Sequence, residues 1–365
     1  MKFQTIGFIG LGLIGGSIAK AIKYFYPKTR ILAYSRSRGP LEEARNTGVI
    51  DQIADQVDAS FRNCNLIFLC SPVSANASYL ALLKDLILDS CILTDVGSTK
   101  TDIHERVREL GLESHFIGGH PMAGSEKTGF SHSKRLLIEN AYYILTPCEQ
   151  VPQETVQEME GFIASLKAIP LVLPYAYHDY VTAAISHLPH LIAASLVNLI
   201  HDLDGPDEIM KKVAAGGFKD ITRIASSSPE MWEQICLTNQ ANIQKVLSSY
   251  IASLQEIEKN LADLNGSRIN RLFLSSRDYR NSIPDGSAGP IKKEYAFYCD
   301  MVDEAGGIAT LATILATNGI SLKNIGIIHN REFEEAVLRV EFYEEAAYEK
   351  AVEILRKYRY TVYTR

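Results

Sequence analysis

Three glycines near the N-terminus constrain the possible folds of this 365-residue chain more than any other feature. Gly10, Gly12 and Gly15 follow a short apolar run, and apolar residues then recur at helical spacing over residues 14–24. In parallel α/β proteins the first such glycine permits a tight turn. The second lets the backbone approach a pyrophosphate at the positive end of a helix, and the third lets helix and strand pack closely. A purely structural turn is the alternative, but the strand before and the helix after the glycines favour dinucleotide binding.

Composition and charge exclude several other classes of protein. The chain is 46% hydrophobic and 22% charged, which is ordinary for a soluble globular protein, and its net charge of −6 argues against a nucleic-acid partner. The longest apolar stretch, residues 188–200, contains polar residues and is too short to cross a bilayer, so we expect no membrane association. The six cysteines show no CxxC spacing and the sequence begins without a signal-peptide pattern. We therefore expect a cytoplasmic protein with reduced cysteines.

The order of the predicted elements divides the chain into four parts. Over residues 1–173, strands alternate with helices, which is typical of a Rossmann-type, doubly wound parallel sheet, and we expect the later strands to join that sheet. Residues 174–280 show helical periodicity with almost no strand signal and predict an all-helical domain. Residues 281–293 are rich in proline, glycine and serine and predict a linker. Residues 294–365 follow a βαββαβ order, which predicts a small α+β module.

Polar, glycine-containing segments occur where a doubly wound sheet places its ligand, beyond the carboxyl ends of the strands. His120 lies in such a loop, and an imidazole with a pKa of about 6.5 is suited to take a hydroxyl proton as hydride leaves the same carbon. Ser98, in the preceding segment, is a candidate to orient His120 or to share the proton. The segments are residues 95–100, 118–126, 186–190 and 216–223.

The end of the second predicted strand bears on the choice of cofactor. An acidic residue usually stands there and hydrogen-bonds the adenine ribose, but this chain has Ser35 and Arg36 and no carboxylate before Glu42. A hydroxyl and a guanidinium suit a 2′-phosphate, so the sequence favours NADP over NAD. The alternative, NAD with Arg36 stacked on the adenine, stays open. The expected cofactor contacts are Gly10, Gly12, Leu13, Ile14, Gly15, Ser35, Arg36 and Ser71.

Two histidines and an arginine are candidates in the helical region. His187 and His190 share a helix face, but no third ligand is placed to join them, so we expect no metal site. Arg223 is the best candidate to pair with a substrate carboxylate, and a salt-bridged helix residue is the alternative. The other histidines are interpreted as having no special role, and they are His104, His115, His132, His178, His201 and His329.

Together with the glycine motif, these segments resemble the prephenate dehydrogenase family, which includes the arogenate and cyclohexadienyl dehydrogenases of tyrosine biosynthesis. The resemblance extends from the N-terminus to about residue 290, and the pairing of GHPMAGSE with SHLPH is quite specific to the family. The acidic residue that many relatives carry is replaced here by Ser35 and Arg36. The matching runs are GLGLIGGS at 10–17, DVGSTK at 95–100, GGHPMAGSE at 118–126, SHLPH at 186–190 and GGFKDITRIA at 216–225.

The resemblance implies oxidative decarboxylation of prephenate to 4-hydroxyphenylpyruvate, with hydride passing to NAD or NADP and the ring carboxylate leaving as CO2. Arogenate, which would give tyrosine directly, is the alternative substrate. The resemblance also implies a homodimer formed through the helical domain. It assigns the contact with the substrate hydroxyl to His120 and the support of that histidine to Ser98. The substrate-binding residues that it implies are His187, Arg223, Glu126, Ser195 and Trp232.

The C-terminal module resembles an ACT domain, a small βαββαβ unit that binds amino acids. The resemblance lies in residues 303–309 before a predicted helix and 318–322 after it, although Ala305 stands where proline is common. It implies feedback regulation by an amino-acid effector, most plausibly tyrosine. A purely structural dimer cap is the alternative.

Two competing functions remain at this stage. A β-hydroxyacid dehydrogenase or an imine reductase also joins a Rossmann domain to a helical partner, but those families depend on a lysine of the helical domain rather than on a histidine loop. A non-catalytic sensor of dinucleotide and amino acid belongs to another class. Catalysis requires His120 and Arg223, whereas sensing requires neither.

Overall fold

The computed structural model divides the chain into two compact units, residues 1–283 and 284–365, and each is described by itself. The residues that it describes are 3–125, 127–283, 295–300, 306–328 and 337–364.

A parallel sheet of five strands forms the centre of the first part of the chain. Its strand order is β3-β2-β1-β4-β5. The chain adds β2 and β3 on one side of β1 and then β4 and β5 on the other side, which is the arrangement of a doubly wound fold. The strands are β1 (Thr5–Ile9), β2 (Arg30–Tyr34), β3 (Gln52–Ile53), β4 (Leu66–Leu69) and β5 (Ile92–Asp95). The helices between and after them are α1 (Leu13–Phe25), α2 (Arg38–Asn46), α3 (Val73–Leu83) and α4 (Thr101–Leu110).

Apolar strands explain why this sheet is buried on both faces. All four residues of β4 are buried, as are the last four of β1, which is the continuous apolar pattern expected of a central parallel strand. Phe8 and Phe68, on neighbouring strands, stack with ring centroids 5.0 Å apart. The carboxyl ends of β1, β4 and β5 therefore meet at one edge, where the polar segments begin.

The later strands of this region form a separate sheet, so the expectation that they would continue the parallel sheet is wrong. They are β6 (Ile117–Pro121), β7 (Tyr142–Pro147) and β8 (Ile169–Val172), with α5 (Gln153–Ser165) between β7 and β8. Strand β7 runs antiparallel to β6 and parallel to β8. The connection from β6 to β7 contains short 3-10 turns instead of the crossover helix that a parallel pair needs, whereas α5 supplies that crossover to β8. A single parallel bridge, Leu93 to Phe116, links the two sheets.

Helices make up the rest of the first unit. The first two are continuous through a π-helical turn at Ala183–His187, and together they form a 29-residue run, Tyr175–Leu203. By length and composition alone this run could cross a membrane, although the expectation from sequence was that the apolar stretch is too short. Its fully buried polar residues pack against α4 and α11, so we interpret it as a helix of the helical domain. The helices are α6 (Tyr175–Thr182), α7 (Leu188–Leu203), α8 (Ile209–Val213), α9 (Gly216–Thr222), α10 (Pro229–Thr238), α11 (Gln240–Ala262) and α12 (Gly266–Ser282).

The C-terminal unit has the βαββαβ order expected from sequence. Its antiparallel sheet has the strand order β10-β11-β9-β12, and α13 and α14 contribute buried residues to the core it shares with the sheet. The elements are β9 (Tyr295–Asp300), α13 (Gly307–Thr317), β10 (Leu322–Ile328), β11 (Val337–Phe342), α14 (Glu345–Lys357) and β12 (Val362–Thr364). Residues 284–294, most of the predicted linker, lie outside the described residues, and α12 extends to Ser282, into the start of that predicted linker.

Candidate active site

The glycine loop between β1 and α1 has the geometry of a pyrophosphate cradle. Gly10 adopts a φ of +92°, and a Cβ there would lie 2.7 Å from the carbonyl carbon of Cys70. A Cβ on Gly15 would lie 2.8 Å from the carbonyl oxygen of Gly10, so helix and loop approach too closely for a side chain. Around Gly12, by contrast, no atom of the described residues lies within 4 Å of the position of a Cβ, and none of their side chains caps the N-terminus of α1. The open space and the uncapped N–H groups fit a bound dinucleotide phosphate.

The other predicted cofactor residues surround this loop. Leu13 and Ile14 form the first turn of α1 and are half-buried, and the hydroxyl of Ser71 donates to the carbonyl oxygen of Ile9 at 3.3 Å. At the end of β2, Ser35 is half-buried and Arg36 is exposed. The nearby Arg38 forms ion pairs with two acids, at 3.1 Å to Glu42 and 2.7 Å to Asp55.

A buried ion pair fixes the backbone beside His120. Asp95, at the end of β5, pairs with Lys100, and their side chains are 1% and 0% exposed. Lys100 Nζ also donates to the carbonyl oxygen of Gly119 at 2.7 Å, and the Gly119 N–H donates to Asp95 Oδ1 at 3.1 Å. Burial lowers the pKa of Lys100, and Asp95 opposes part of that shift. Both the N–H and the carbonyl group of Gly119, the residue before His120, are thus hydrogen-bonded to this ion pair.

His120 itself contacts a second histidine. Its Nδ1 lies 2.8 Å from Nε2 of His178, and Nδ1 of His178 lies 2.8 Å from Oδ1 of Asp179. Burial lowers the pKa of His120 well below its usual value, and the neighbouring His178, Lys100 and His187 lower it further. His120 is therefore a neutral imidazole at neutral pH, which is the form that can accept a proton.

Asp179 connects three elements around these histidines. Its carboxylate accepts the backbone N–H groups of Lys100 and Thr101, each at 2.8 Å, and the Thr101 hydroxyl at 2.6 Å. Its carbonyl oxygen accepts from Nδ2 of Asn239 at 2.7 Å, and the same nitrogen lies 3.2 Å from Nδ1 of His187. Burial alone would raise the pKa of Asp179, but the hydrogen bonds from His178 and Thr101 outweigh burial, and the pKa is lowered.

The π-helical turn helps to bring His187 to this network. In a regular α-helix, residues eight positions apart such as Asp179 and His187 are offset by roughly 80° around the axis. The wider turn at Ala183–His187 unwinds the helix between them, so that both residues reach Asn239. Such turns are frequent at functional sites. Burial lowers the pKa of His187 to about 4.

Trp232, the single tryptophan of the chain, meets both histidines of the SHLPH segment. Its ring stacks on His190 with centroids 3.8 Å apart and lies edge-on to His187 at 5.9 Å. Its buried Nε1 has no hydrogen-bond partner among the described residues. Burial lowers the pKa of His190, and the charge of Arg223 lowers it further. Arg223 is exposed, and within the described parts of the chain it forms no ion pair. The salt-bridged alternative for Arg223 therefore has no support in the described contacts.

Three of the predicted site residues are not connected to this network by any described contact. In the described ranges, the hydroxyl of Ser98 forms no hydrogen bond with His120, whose Nδ1 instead contacts His178. Ser195 is exposed on α7, and its hydroxyl donates to the carbonyl oxygen of Ile192 at 3.0 Å. Glu126 lies outside the described residues. Among the described residues, no group of three or more histidine, cysteine, aspartate or glutamate side chains could hold a metal ion.

Reasoning from sequence missed most of the polar residues of this network. His178 was interpreted as having no special role, and Asp179 and Asn239 were not considered. Asp95 and Lys100 were noticed only as part of a polar segment. A usable signal was the His178–Asp179 pair itself, because two adjacent polar residues in an otherwise apolar helix must find partners when buried.

Family models confirm the identity suggested by these residues. Residues 18–171 match the nucleotide-binding domain of prephenate dehydrogenase, and residues 175–274 match its dimerization domain. The chain belongs to the prephenate dehydrogenase family. Among curated members of that family, a prephenate dehydrogenase of Bacillus subtilis is 38% identical over 93% of this chain and 92% of its own length. A cyclohexadienyl dehydrogenase of Zymomonas mobilis is 30% identical over 77% of this chain and 96% of its own.

Solved structures of the family have the same fold as the first unit. The prephenate dehydrogenase of Aquifex aeolicus, solved with hydroxyphenyl propionate and NAD+, matches 77% of this chain and 98% of its own with a TM-score of 0.73 and 28% identity. The arogenate dehydrogenase of Synechocystis matches 76% of this chain and 99% of its own with a TM-score of 0.69 and 29% identity.

Proposed function

We propose that this chain catalyses the oxidative decarboxylation of prephenate to 4-hydroxyphenylpyruvate in tyrosine biosynthesis. The observation that carries this proposal is His120, a buried neutral imidazole on β6 of a chain with a dinucleotide-binding fold. Among the described residues, its Nε2 has no hydrogen-bond partner, which leaves that atom available to a substrate hydroxyl. A bound nicotinamide would supply one step, accepting the hydride that leaves C4 of the ring.

His120 takes the hydroxyl proton as the hydride departs, so the C–O bond gains double-bond character. The ring carboxylate then leaves as CO2, and its bonding electrons complete the aromatic ring, whose phenolate oxygen takes a proton back from His120. Ser98, three residues after the end of β5, supports His120 at the substrate hydroxyl in this proposal. Because burial keeps His120 neutral, its lone pair is available over the whole physiological pH range.

The remaining predicted residues bind the substrate. Arg223 pairs with a carboxylate, and its exposed guanidinium is not occupied by any acid among the described residues. Trp232 offers a buried indole N–H that has no partner among the described residues, a suitable donor to an anionic group. His187 stands edge-on to that indole. By the resemblance to the family, Ser195 also lines this pocket in the proposal, and the same role is assigned to Glu126, which lies outside the described residues.

The cofactor in this proposal is NADP in preference to NAD. Ser35 and Arg36 stand where the adenine ribose would lie, and the neighbouring Arg38 is already paired with acids. Arg36 is therefore the guanidinium that is available to a 2′-phosphate.

The helical region forms a homodimer in this proposal, and the protein acts in the cytoplasm. The match of residues 175–274 to a family dimerization domain supports the dimer. Large apolar side chains exposed on the helices also support it, since a single copy leaves them in water, and they include Leu199, Leu203, Ile251 and Leu254.

The C-terminal unit is an ACT-like regulatory domain that binds an amino-acid effector, tyrosine, in this proposal. Its antiparallel sheet and its βαββαβ order support the assignment. The match to the Bacillus relative, which covers 93% of this chain, extends into this unit, so the unit is shared with a named prephenate dehydrogenase.

The decisive experiment is a matrix of initial rates on the full chain and on His120→Asn. Prephenate and arogenate are each combined with NAD+ and NADP+, and cofactor binding is measured separately by titration. We expect the highest rate with prephenate and NADP+, and a loss of about 10²- to 10⁴-fold in kcat for His120→Asn with unchanged cofactor binding. His201→Asn, whose side chain is 85% exposed, is the matched control and keeps its rate. A near-normal rate for His120→Asn would remove His120 from the reaction. A wild-type chain that binds the dinucleotide but turns over neither substrate would indicate a sensor.

A further inference from the structure

Two histidines and a carboxylate are connected in series at the candidate active site. His120 on β6, His178 on α6 and the adjacent Asp179 are joined by two contacts of 2.8 Å each. The side chains of His178 and Asp179 are 0% exposed, so water does not compete for these contacts. The chain of contacts ends at a carboxylate whose position is fixed by its neighbours, because Asp179 also accepts from Lys100 and Thr101.

The direction of each hydrogen bond follows from the carboxylate. An ionised Asp179 can only accept, so the hydrogen between it and His178 belongs to Nδ1 of His178. With Nδ1 as its donor, His178 can accept at Nε2, and the hydrogen between the two rings is then on Nδ1 of His120. Nε2 of His120 is left with a lone pair, which is the tautomer required of a base.

The charged and titratable groups around His120 favour this assignment. Lys100, directly before α4, and His187 in the π-helical turn both lower its pKa, so neither favours a second proton on the ring. Lys100 is itself paired with Asp95. Asp179, reached through His178, is thus the carboxylate connected to His120 by hydrogen bonds among the described residues.

We propose that His178, held by Asp179, is a positioning residue that fixes the tautomer of His120 and receives its Nδ1 proton during the reaction. When the substrate O–H bond breaks, its proton forms an N–H bond at Nε2 of His120. The Nδ1–H bond of His120 breaks in turn, and that proton forms an N–H bond at Nε2 of His178. The positive charge then rests on His178 beside the Asp179 carboxylate, while the hydride leaves for the nicotinamide. This inference rests on the proposed role of His120 as the base.

Replacing His178 by residues with and without an acceptor tests the inference. His178→Leu removes the acceptor and leaves His120 free to adopt either tautomer. We expect a loss of about 10²- to 10⁴-fold in kcat with KM changed less than about threefold, since a base held in the wrong tautomer in another enzyme family loses about 10⁴-fold. His178→Gln places an amide oxygen near the former Nε2, so we expect it to recover at least about tenfold over the leucine variant. His104→Gln, which removes a buried histidine that does not contact His120, is the matched control and is expected to stay near the wild-type rate.

Nitrogen-15 spectra of the histidine rings in the full-length protein provide a readout that needs no turnover. We expect the wild type to show Nδ1 of His120 protonated and Nε2 unprotonated, and the leucine variant to show a mixture of tautomers. Wild-type His120 with its proton on Nε2 would overturn the inference, and so would a leucine variant with normal kcat or a glutamine variant no better than leucine. If the wild type turns over neither prephenate nor arogenate while its spectrum shows the expected tautomer, the proposed reaction fails and the hydrogen-bond network stands.

Discussion

Replacing Lys100 by methionine tests how the buried ion pair supports the site. Methionine has a similar length but no charge, so Asp95 would lose its only salt-bridge partner among the described residues while remaining buried. Gly119 would also lose the hydrogen bond from Nζ to its carbonyl oxygen. The backbone N–H groups of Gly97 and Gly119 would still donate to Asp95, at 2.9 and 3.1 Å.

The expected loss of stability follows from this burial. Breaking a buried pair by removing one partner typically costs about 3–5 kcal/mol, because an uncompensated charge remains in the interior. The two remaining N–H donors place our expectation near the lower end, about 3 kcal/mol. In a unit of this size, a melting temperature falls by roughly 2–4 °C per kcal/mol, so we expect a decrease of roughly 6–12 °C.

The assay is urea unfolding followed by tryptophan fluorescence. Trp232 is the only tryptophan, so the signal reports the first unit directly. Asp95→Asn and the double variant of Lys100→Met with Asp95→Asn complete a double-mutant cycle. We expect the double variant to lose less stability than the sum of the two single losses, since it leaves no unpaired charge. Lys211→Met, at an exposed ion pair with Glu208, is the control and is expected to leave the midpoint unchanged.

A loss of less than about 1 kcal/mol for Lys100→Met, or single losses that simply add in the double variant, would contradict a stabilising buried ion pair. We also expect a lower kcat for Lys100→Met, because Gly119 directly precedes His120. Normal kcat in a destabilised variant would restrict the ion pair to a structural role.

Three further predictions concern pH, the glycine loop and the C-terminal unit. His104 and His187 are buried and neutral with pKa values lowered by burial to about 3 and about 4, so below pH 6.5 the unfolded chain binds protons that the folded chain does not. The free energy of unfolding therefore falls as the pH falls, by about 2 kcal/mol per histidine between pH 7 and pH 5. An unfolding midpoint that is the same at both pH values would contradict this. Gly12→Ala is expected to fold normally, because the space around its Cβ is open, but to bind the dinucleotide at least about tenfold more weakly, and a titration with unchanged Kd would show that the phosphate lies elsewhere. Tyrosine is expected to inhibit the full chain but not a chain ending at Ile283, and equal inhibition of both would move the effector site into the first unit.

The cofactor half of the site could be predicted from sequence because its determinants are local. Gly10, Gly12 and Gly15 lie within six residues, and the apolar run before them and the helical periodicity after them indicate a strand, a tight turn and a helix N-terminus. The strand order and the burial of β1 and β4 agree with that expectation. His120 could be singled out because it stands among glycines in a polar segment, although the structure places it within β6 and not in the loop expected from sequence.

The partners of His120 could not be predicted in this way. His178 lies 58 residues further along the chain, in a helix whose apolar periodicity gives no indication of which strand it meets. The direction of β6 against β7 was also undetermined, because side-chain alternation is the same for parallel and antiparallel strands. The sequence by itself therefore determined the dinucleotide fold and singled out His120 as the candidate base. The tertiary structure alone decided which groups hold that base, because hydrogen bonds between distant segments depend on packing and not on local spacing.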